Sequence, residues 1–331
     1  MSNLKLFQPT QVGDIELSHR AVFSPTTRFR ADVNYVPLPH VAEYYEQRAS
    51  TPGSLLISKA TYIAPRAGGY PNAPGIWSDQ QIAAWKTVTD RYLQIWGVGR
   101  TAQPEVLVEE GLPFVSASDV PRKGGSVAPR RRAVKEIQKY VQLFATAASD
   151  AIHAANGSLL DQFLNDRSNI RTDAYGGSVE HRTRFPLEGA DPKTGLRISP
   201  WNSFNDMHFD DPKPTFTHLF AYLHVVEPRV DGSDDVETRA GASNDFLRAF
   251  WGARRLISAG GYTRETALAV AADKGDLIAF ARKYIANPDL PYRLLHGIAL
   301  TVGNRALYYA PGSVDPKGYT DYASAPAVAA H

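Results

Sequence analysis

Short apolar runs, each closed by a polar or glycine-rich stretch and followed by a helical pattern, recur along the chain. The runs are Ala21–Ser24, Leu55–Ser58, Tyr92–Trp96, Leu196–Ser199, Leu223–Val226, Leu256–Ala259 and Leu277–Phe280. Runs that alternate with helices predict parallel strands joined by crossovers. Local signals mark the helices. Ser78 with Gln81 predicts a capping box opening a helix through Ile82, Trp85 and Val88. Val134, Ile137, Val141, Phe144 and Ala148 fall on one face at helical spacing. Thr263 is placed to cap a helix through Thr266 and Leu268. An eighth strand is expected near residues 150–156, although the Val134 helix runs into Ile152 with no turn signal. The pattern is that of an α/β protein, a (β/α)8 TIM barrel, with several units shortened. A parallel crossover needs about a dozen residues. Asp90-Arg91 before Tyr92, Glu188–Thr194 before Leu196 and His218–Ala221 before Tyr222 all read as if a helix end and its loop were cut away.

Composition narrows the class. The 331 residues suffice for one barrel, and no linker divides them, so a single domain over 1–331 is expected, with 321–331 as a loose tail. Hydrophobic residues make up 43% and charged residues 21%, the balance of a globular protein with a sizeable core. A net charge of +2, from 36 Lys+Arg against 34 Asp+Glu, is too even for a nucleic-acid or anionic-membrane surface. With no cysteine, disulfides, thiolate metal sites and cysteine nucleophiles are excluded. No apolar run near the start has the length of a signal or a membrane span, so a cytoplasmic protein is expected. The nine histidines show no metal-ligand spacing, and no Gly-x-Ser-x-Gly elbow or Walker loop occurs.

The candidate chemistry gathers at the ends of the strand-like runs. Gly260-Gly261 follows one run and Ala281-Arg282 the next. In TIM barrels the loops after the last two strands commonly hold a phosphate, through backbone N–H groups and a cation. An ordinary turn with a solvated arginine has the same sequence. Thr27 follows Pro25, while Gln94 and Arg197 lie inside otherwise apolar strands, where they are costly unless paired. An aromatic cofactor with a polar edge would satisfy both; so would a buried ion pair or a water. Their coincidence with the phosphate signal favours the cofactor.

Longer blocks carry a resemblance. Asn169-Ile-Arg-Thr-Asp-Ala-Tyr-Gly-Gly-Ser-Val-Glu-His-Arg182 closely resembles a signature of the old yellow enzyme family. So do Ser24-Pro-Thr-Thr-Arg28, Gln94–Arg100, Ser116-Ala-Ser118, Gly195–Pro200, Ser258–Tyr262, Ile285–Asp289 and Pro316–Tyr322, in the family's order over nearly the whole chain. The resemblance implies an FMN flavoprotein that takes hydride from NADPH and passes it to the activated alkene of an enone by a ping-pong route, as a monomer or homodimer. It implies that Thr27 tunes the flavin, with backbone contacts from Pro25 and Ala60. Gln94 would bond the pyrimidine edge, and Arg197 would stabilise the reduced flavin. Gly260, Gly261, Ala281 and Arg282 would form the phosphate site. His153 and Asn156 resemble the pair that grips the substrate carbonyl, and Trp96 and Tyr309 would line the pocket.

Four departures bear on activity. Ser158 stands where the family carries a proton-donating Tyr, and its hydroxyl is far less acidic than a phenol, whose pKa is about 10; impaired protonation of the alkene is expected. Asp150–Asn156 reads equally as a strand carrying His153 or as the end of the preceding helix. Lys59 stands where the family tends to carry an acid, and Ala281 where a glycine precedes the phosphate arginine. Three rival readings remain open at this point. They are a flavin-binding pseudoenzyme, a shortened barrel that does not close, and a barrel lyase using Lys59. Gly111–Pro129 is expected to be a long loop at the mouth, suited to a lid, and Arg130-Arg131-Arg132 a solvated stretch leading into a helix.

Overall fold

The computed structural model describes residues 4–12, 15–88, 92–121, 125–154, 157–161, 194–198, 201, 223–231, 234–252 and 254–326. Eight parallel strands close into a barrel. In chain order they are β3 (Ala21–Phe23), β4 (Leu55–Tyr62), β5 (Tyr92–Trp96), β8 (Gly157–Asp161), β9 (Thr194–Ile198), β10 (Leu223–Val226), β13 (Leu256–Ala259) and β14 (Leu277–Phe280). Each pairs with the next, and β14 pairs back onto β3, so no edge strand remains in the barrel. The hairpin of β1 (Thr10–Val12) and β2 (Ile15–Leu17) covers the N-terminal end. Its Val12 and Leu17 pack into the lumen cluster of Val22, Leu55, Ile57, Ile257 and Leu277.

Helices α1 (His40–Arg48), α2 (Asp79–Lys86), α3 (Pro104–Glu109) and α4 (Val134–Ala154) follow the first strands in order. Later come α5 (Asp245–Trp251), α6 (Arg264–Lys274), α7 (Arg282–Ala286) and α8 (Leu290–His296). Both capping boxes form, at Ser78 with Gln81 and at Thr263 with Thr266. The long helix α4 is amphipathic on a face turned by about one residue from the expected one. It buries Tyr140, Phe144, Ala147, Ala151 and Ala154, while Val134 is 69% exposed. Tyr140 decides this: its ring takes Arg132 at 3.8 Å and its hydroxyl donates to Arg66 O at 2.8 Å.

The eighth strand is not at 150–156. The helix continues through that stretch to Ala154, and the strand is Gly157–Asp161, in register with β5 through Leu93↔Ser158 and Gln94↔Leu159. The shortened approaches to Tyr92, Leu196 and Tyr222 lie outside the described residues. The loop from Gly111 is pinned near both ends, because β6 (Val115–Ser116) pairs with β7 (Arg130–Arg131). Of the three arginines, Arg130 and Arg131 are exposed but Arg132 is buried.

Three buried arginines fasten the C-terminal segment across the barrel. Arg28 donates to Tyr308 O at 2.7 Å and Gly318 O at 2.6 Å. Arg30 donates to Ala310 O at 2.8 Å, and Arg48 to Tyr319 O at 3.2 Å. The rings of Tyr44 and Tyr319 stack at 4.2 Å between these cations. The tail expected to hang loose from residue 321 is held as far as Ala325, through Arg293 to Ala323 O and Ala325 N to Asp289. Among the described residues no helix is long and apolar enough to cross a membrane.

Candidate active site

The C-terminal ends of barrel strands are where loops from several units converge. On β4 the register with β5 shifts between Ile57 and Ala60, a bulge that adds one residue. Side chains alternate along a strand, so an extra residue exchanges the faces of everything beyond it. Ile57 lies in the lumen cluster, and beyond the bulge Ala60 and Tyr62 join Trp96 in a second cluster at the mouth. Ala60 is thereby brought opposite Gln94, and Tyr62 opposite Trp96.

Gln94 is the most telling of these groups. It is 2% exposed, and its Nε2 is buried without a hydrogen-bond partner, as is the Nε1 of Trp96 two residues on. Leaving a buried donor unmet costs about 1–3 kcal/mol, so two along one face of a strand mark a place where a polar ligand belongs. Pro25 is buried and Thr27 half-buried in the loop that continues β3, whose Ser24 N–H is held by Phe280 O at 3.0 Å. This brings the Pro25–Thr27 loop beside the end of β14 and Ala281-Arg282. Register pairs Arg197 with Asp161 on one side and His224 on the other.

Gly260 and Gly261 form the expected tight turn, with φ of 119° and 61° that side chains rarely adopt. The turn is held from three sides. Arg229 Nε donates to Gly260 O at 2.7 Å, and Lys283 Nζ donates to Tyr262 O at 2.6 Å. Ser258 Oγ donates to Glu227 Oε1 at 2.7 Å and lies 2.6 Å from the Tyr262 hydroxyl. Burial, then the Glu227 carboxylate, pushes the Tyr262 phenol up, so it remains a neutral donor and acceptor. Arg282 opens α7 beside this turn and is paired with Asp235 of the short β11–β12 hairpin (Val230–Asp231 with Asp234–Asp235). Asp234 of the same hairpin accepts from Arg305 at 2.5 Å, which holds its carboxyl below the ordinary value.

A Cβ placed on Gly261 would lie 3.7 Å from Asp235 Oδ1 and 3.3 Å from Arg229 Nε. A carboxylate therefore already sits between the glycine turn and Arg282, where an anionic group would be received. The orphaned amide of Gln94, the glycine turn and this stand-in anion together fit a ligand with a polar ring edge at one end and a phosphate at the other. The residues present thus fit FMN.

The pocket-wall residues come together. Trp96 stacks on Tyr70 at 5.8 Å, Tyr70 meets Phe29 at 6.3 Å, and Phe29 meets Tyr309 at 6.3 Å. Tyr309 is 50% exposed at the rim. Phe29 holds φ at 54°, strained for a residue with a side chain, and its carbonyl accepts from Gly312 N at 2.8 Å.

Of the pair expected to grip the carbonyl, the structure describes only the backbone of His153. His153 belongs to α4 rather than to a strand, because the helix runs on to Ala154; Asn156 lies outside the described residues. Ser158 is on β8, at the register position of Leu93. Leu93 belongs to the helix-facing core, whereas Gln94 pairs with position 159.

Lys59 is placed away from the mouth. The bulge turns it to the helix side, where its backbone N–H bonds the Tyr45 hydroxyl at 2.9 Å and its Nζ lies 6.0 Å from the Trp85 ring centre. Nζ is buried without a partner. Burial, then the charges of Arg28 and Arg30, lowers its pKa to about 7. A basic amine of that kind would suit a lyase, but it does not face the lumen, and the lyase reading fails on that ground.

Reasoning from sequence missed Arg229, Asp235 and the lumen-side histidine of β10. His224 is fully buried inside the apolar run Leu223–Val226, the same signal that singled out Gln94. Among the described residues no group of three His, Asp or Glu is arranged to hold a metal ion.

Comparison with known proteins identifies the frame. Residues 5–301 match the model of the NADH:flavin oxidoreductase / NADH oxidase family. The chain is 46% identical to a chanoclavine-I aldehyde reductase of Penicillium roqueforti over 358 aligned residues, covering 96% of each chain. It is 41% identical to a probable inactive reductase of Epichloe festucae var. lolii, covering 97% of this chain and 96% of that one. The crystal structure of Old Yellow Enzyme from Pichia sp. superposes with a TM-score of 0.82 at 29% identity, covering 98% of this chain and 94% of that chain. An alignment of 358 positions against 331 residues means that the Penicillium protein has at least 27 positions this chain lacks.

Proposed function

The chain belongs to the NADH:flavin oxidoreductase / NADH oxidase family and is an oxidoreductase of the old yellow enzyme type; from that premise we propose that it binds FMN and reduces the activated C=C of α,β-unsaturated carbonyl compounds with NADPH. When bound, FMN supplies the hydride transfer between the two substrates. The chain's own residues bind and orient. The Gln94 carboxamide would hold the polar edge of the flavin ring, with Pro25, Thr27 and Ala60 lining its approach. Arg197 would supply positive charge toward the reduced ring, the chemistry that favours its anionic form. Gly260, Gly261 and Arg282 receive the phosphate, with the Ala281 methyl narrowing the approach. Trp96 and Tyr309 bound the space for a small organic substrate.

The observation that carries this reading is the unmet amide donor of Gln94 inside the barrel. It predicts two opposite effects of Gln94→Leu. Without flavin the variant is more stable, because a buried donor without a partner is removed at about 1–3 kcal/mol. With FMN it retains less cofactor after desalting, measured from the visible absorption bands. A variant that keeps the wild-type flavin content overturns the assignment.

A second reading, a flavin-holding protein that has lost alkene reduction, is favoured by the helical placement of His153. It draws on the Epichloe relative named a probable inactive reductase. Anaerobic turnover of an enone by the flavin-loaded protein separates the two, since only the reductase consumes NADPH in step with the alkene.

A further inference from the structure

Arg229 stands on the loop after β10, across from the Gly260–Gly261 turn. Its guanidinium is fixed on two sides: Nε donates to Gly260 O at 2.7 Å, and Cζ lies 4.4 Å over the Tyr262 ring. Tyr262 is itself locked by Ser258 and, through it, by Glu227. The plane of the fork is therefore set before any ligand arrives. One donor is left over, for the Nη2 atom is buried and has no hydrogen-bond partner. An unmet charged donor is expensive to bury, and here packing and stacking hold it in place.

The same side chain lies against the glycine turn. A Cβ on Gly261 would come within 3.3 Å of Arg229 Nε and 3.5 Å of its Cδ, and within 3.7 Å of Asp235 Oδ1. Asp235 is the residue paired with Arg282. Arg229 and Arg282 thus border one small space, floored by a glycine turn and held at present by a carboxylate. A phosphate monoester carries about −1.5 to −2 charge at pH 7, more than one half-exposed guanidinium neutralises. Other charges near the pair are Lys283, which donates to Tyr262 O, Glu227, whose carboxylate is engaged by Ser258, and the ion pair of Asp234 with Arg305.

We propose that Arg229 is a second guanidinium ligand of the phosphate group received by the Gly260–Gly261 turn and Arg282. The inference rests on the FMN reading and extends it: the anion site recognises a monoester dianion with two arginines, one from the loop after β10 and one from α7. Asp235 holds the place until the phosphate displaces it.

The test titrates flavin-free protein with FMN and with riboflavin, which has the same ring and no phosphate, following flavin fluorescence. Wild type is expected to prefer FMN. In Arg229→Met the FMN dissociation constant rises by about 10–100-fold, the loss of one charge-assisted hydrogen bond, while riboflavin affinity stays as in wild type even though the thermal midpoint falls with the lost contact to Gly260 O. Arg229→Lys falls between, since it keeps the charge without the fork. Equal losses for both flavins would make Arg229 a structural clamp only, and unchanged FMN affinity would remove it from the site; either result overturns the proposal and leaves the FMN reading standing. Wild-type protein that binds neither flavin overturns the FMN reading, and this inference with it.

Discussion

Replacing Lys59 by Met should stabilise the protein, by an amount that depends on pH in a defined way. The amine is sealed between β4 and the helices, 1% exposed, with no partner for Nζ and with Arg28 and Arg30 as its charged neighbours. In the unfolded chain it keeps an ordinary pKa of 10.5; in the fold the value is lowered to about 7. The unfolded state therefore holds the proton more tightly, and stability rises as pH climbs from about 7 toward 10.5. Each pKa unit is worth about 1.4 kcal/mol, so at pH 8 the buried amine costs on the order of 3 kcal/mol. The Trp85 ring, 6.0 Å from the amine, recovers little at that pH, since the group is then mostly neutral. Methionine has similar length and fills the same space without the donor. Urea unfolding followed by tryptophan fluorescence at pH 7.5, 8.5 and 9.5 measures the difference between variant and wild type. That difference is expected to be largest at pH 7.5 and to shrink by about 1.4 kcal/mol per pH unit. A difference that does not vary with pH, or a Met variant less stable than wild type, would refute the reasoning.

Other expectations concern other parts of the molecule. His19 accepts from Ala21 N at 3.2 Å through Nδ1 and pairs its Nε2 with Ser54 Oγ at 3.0 Å, and burial lowers its pKa to about 4. Its contribution is present above pH 6.5 and lost as pH falls through 4, on the order of 3 kcal/mol in all; His19→Gln should flatten the acid limb of a urea-midpoint profile, and an unchanged limb would assign acid unfolding to other groups. Asp235→Asn removes the carboxylate that holds Arg282, so FMN should bind about 2–5-fold more tightly, the size expected of an exposed ion pair; weaker binding in a fluorescence titration would contradict the stand-in role. Ser158→Tyr should leave enone turnover unchanged, because position 158 shares its register with helix-facing Leu93; a gain of about 10²-fold or more, the size of a general-acid contribution, would place that position in the lumen.

Much of the barrel was readable because buried parallel strands are continuous apolar runs. Leu256–Ala259 and Leu277–Phe280 need no neighbour to declare themselves. Gly157-Ser-Leu-Leu-Asp161 has two apolar residues beside a glycine, and it is a strand through its pairing with β5 and β9. Capping at Ser78 and Thr263 was legible because it is settled within four residues. The face of α4 was misread because Tyr140 and the alanines bury as well as the aliphatic residues. The bulge that sends Lys59 outward and Ala60 inward depends on where β5 lies, which no local pattern reports. For the same reason the site was only half visible. Gln94 stood out as a polar residue in an apolar run, whereas Arg229 and Asp235 gain their meaning from residues 31 and 47 positions away.

The arginine strap has a consequence for how the chain comes into being. Arg28, Arg30 and Arg48 emerge from the ribosome some 271–290 residues before the carbonyls of Tyr308, Ala310, Gly318 and Tyr319 that receive them. Before residue 280 is made, β3 also lacks β14 on its flank. Synthesis at about 5–20 residues per second leaves the first strand and its three cations without their partners for on the order of 14–60 seconds. The nascent barrel must pass that interval with an open seam. Protection by a chaperone, or a slow search for closure after release, is thus written into the chain order, and truncation near residue 305 should yield an insoluble product.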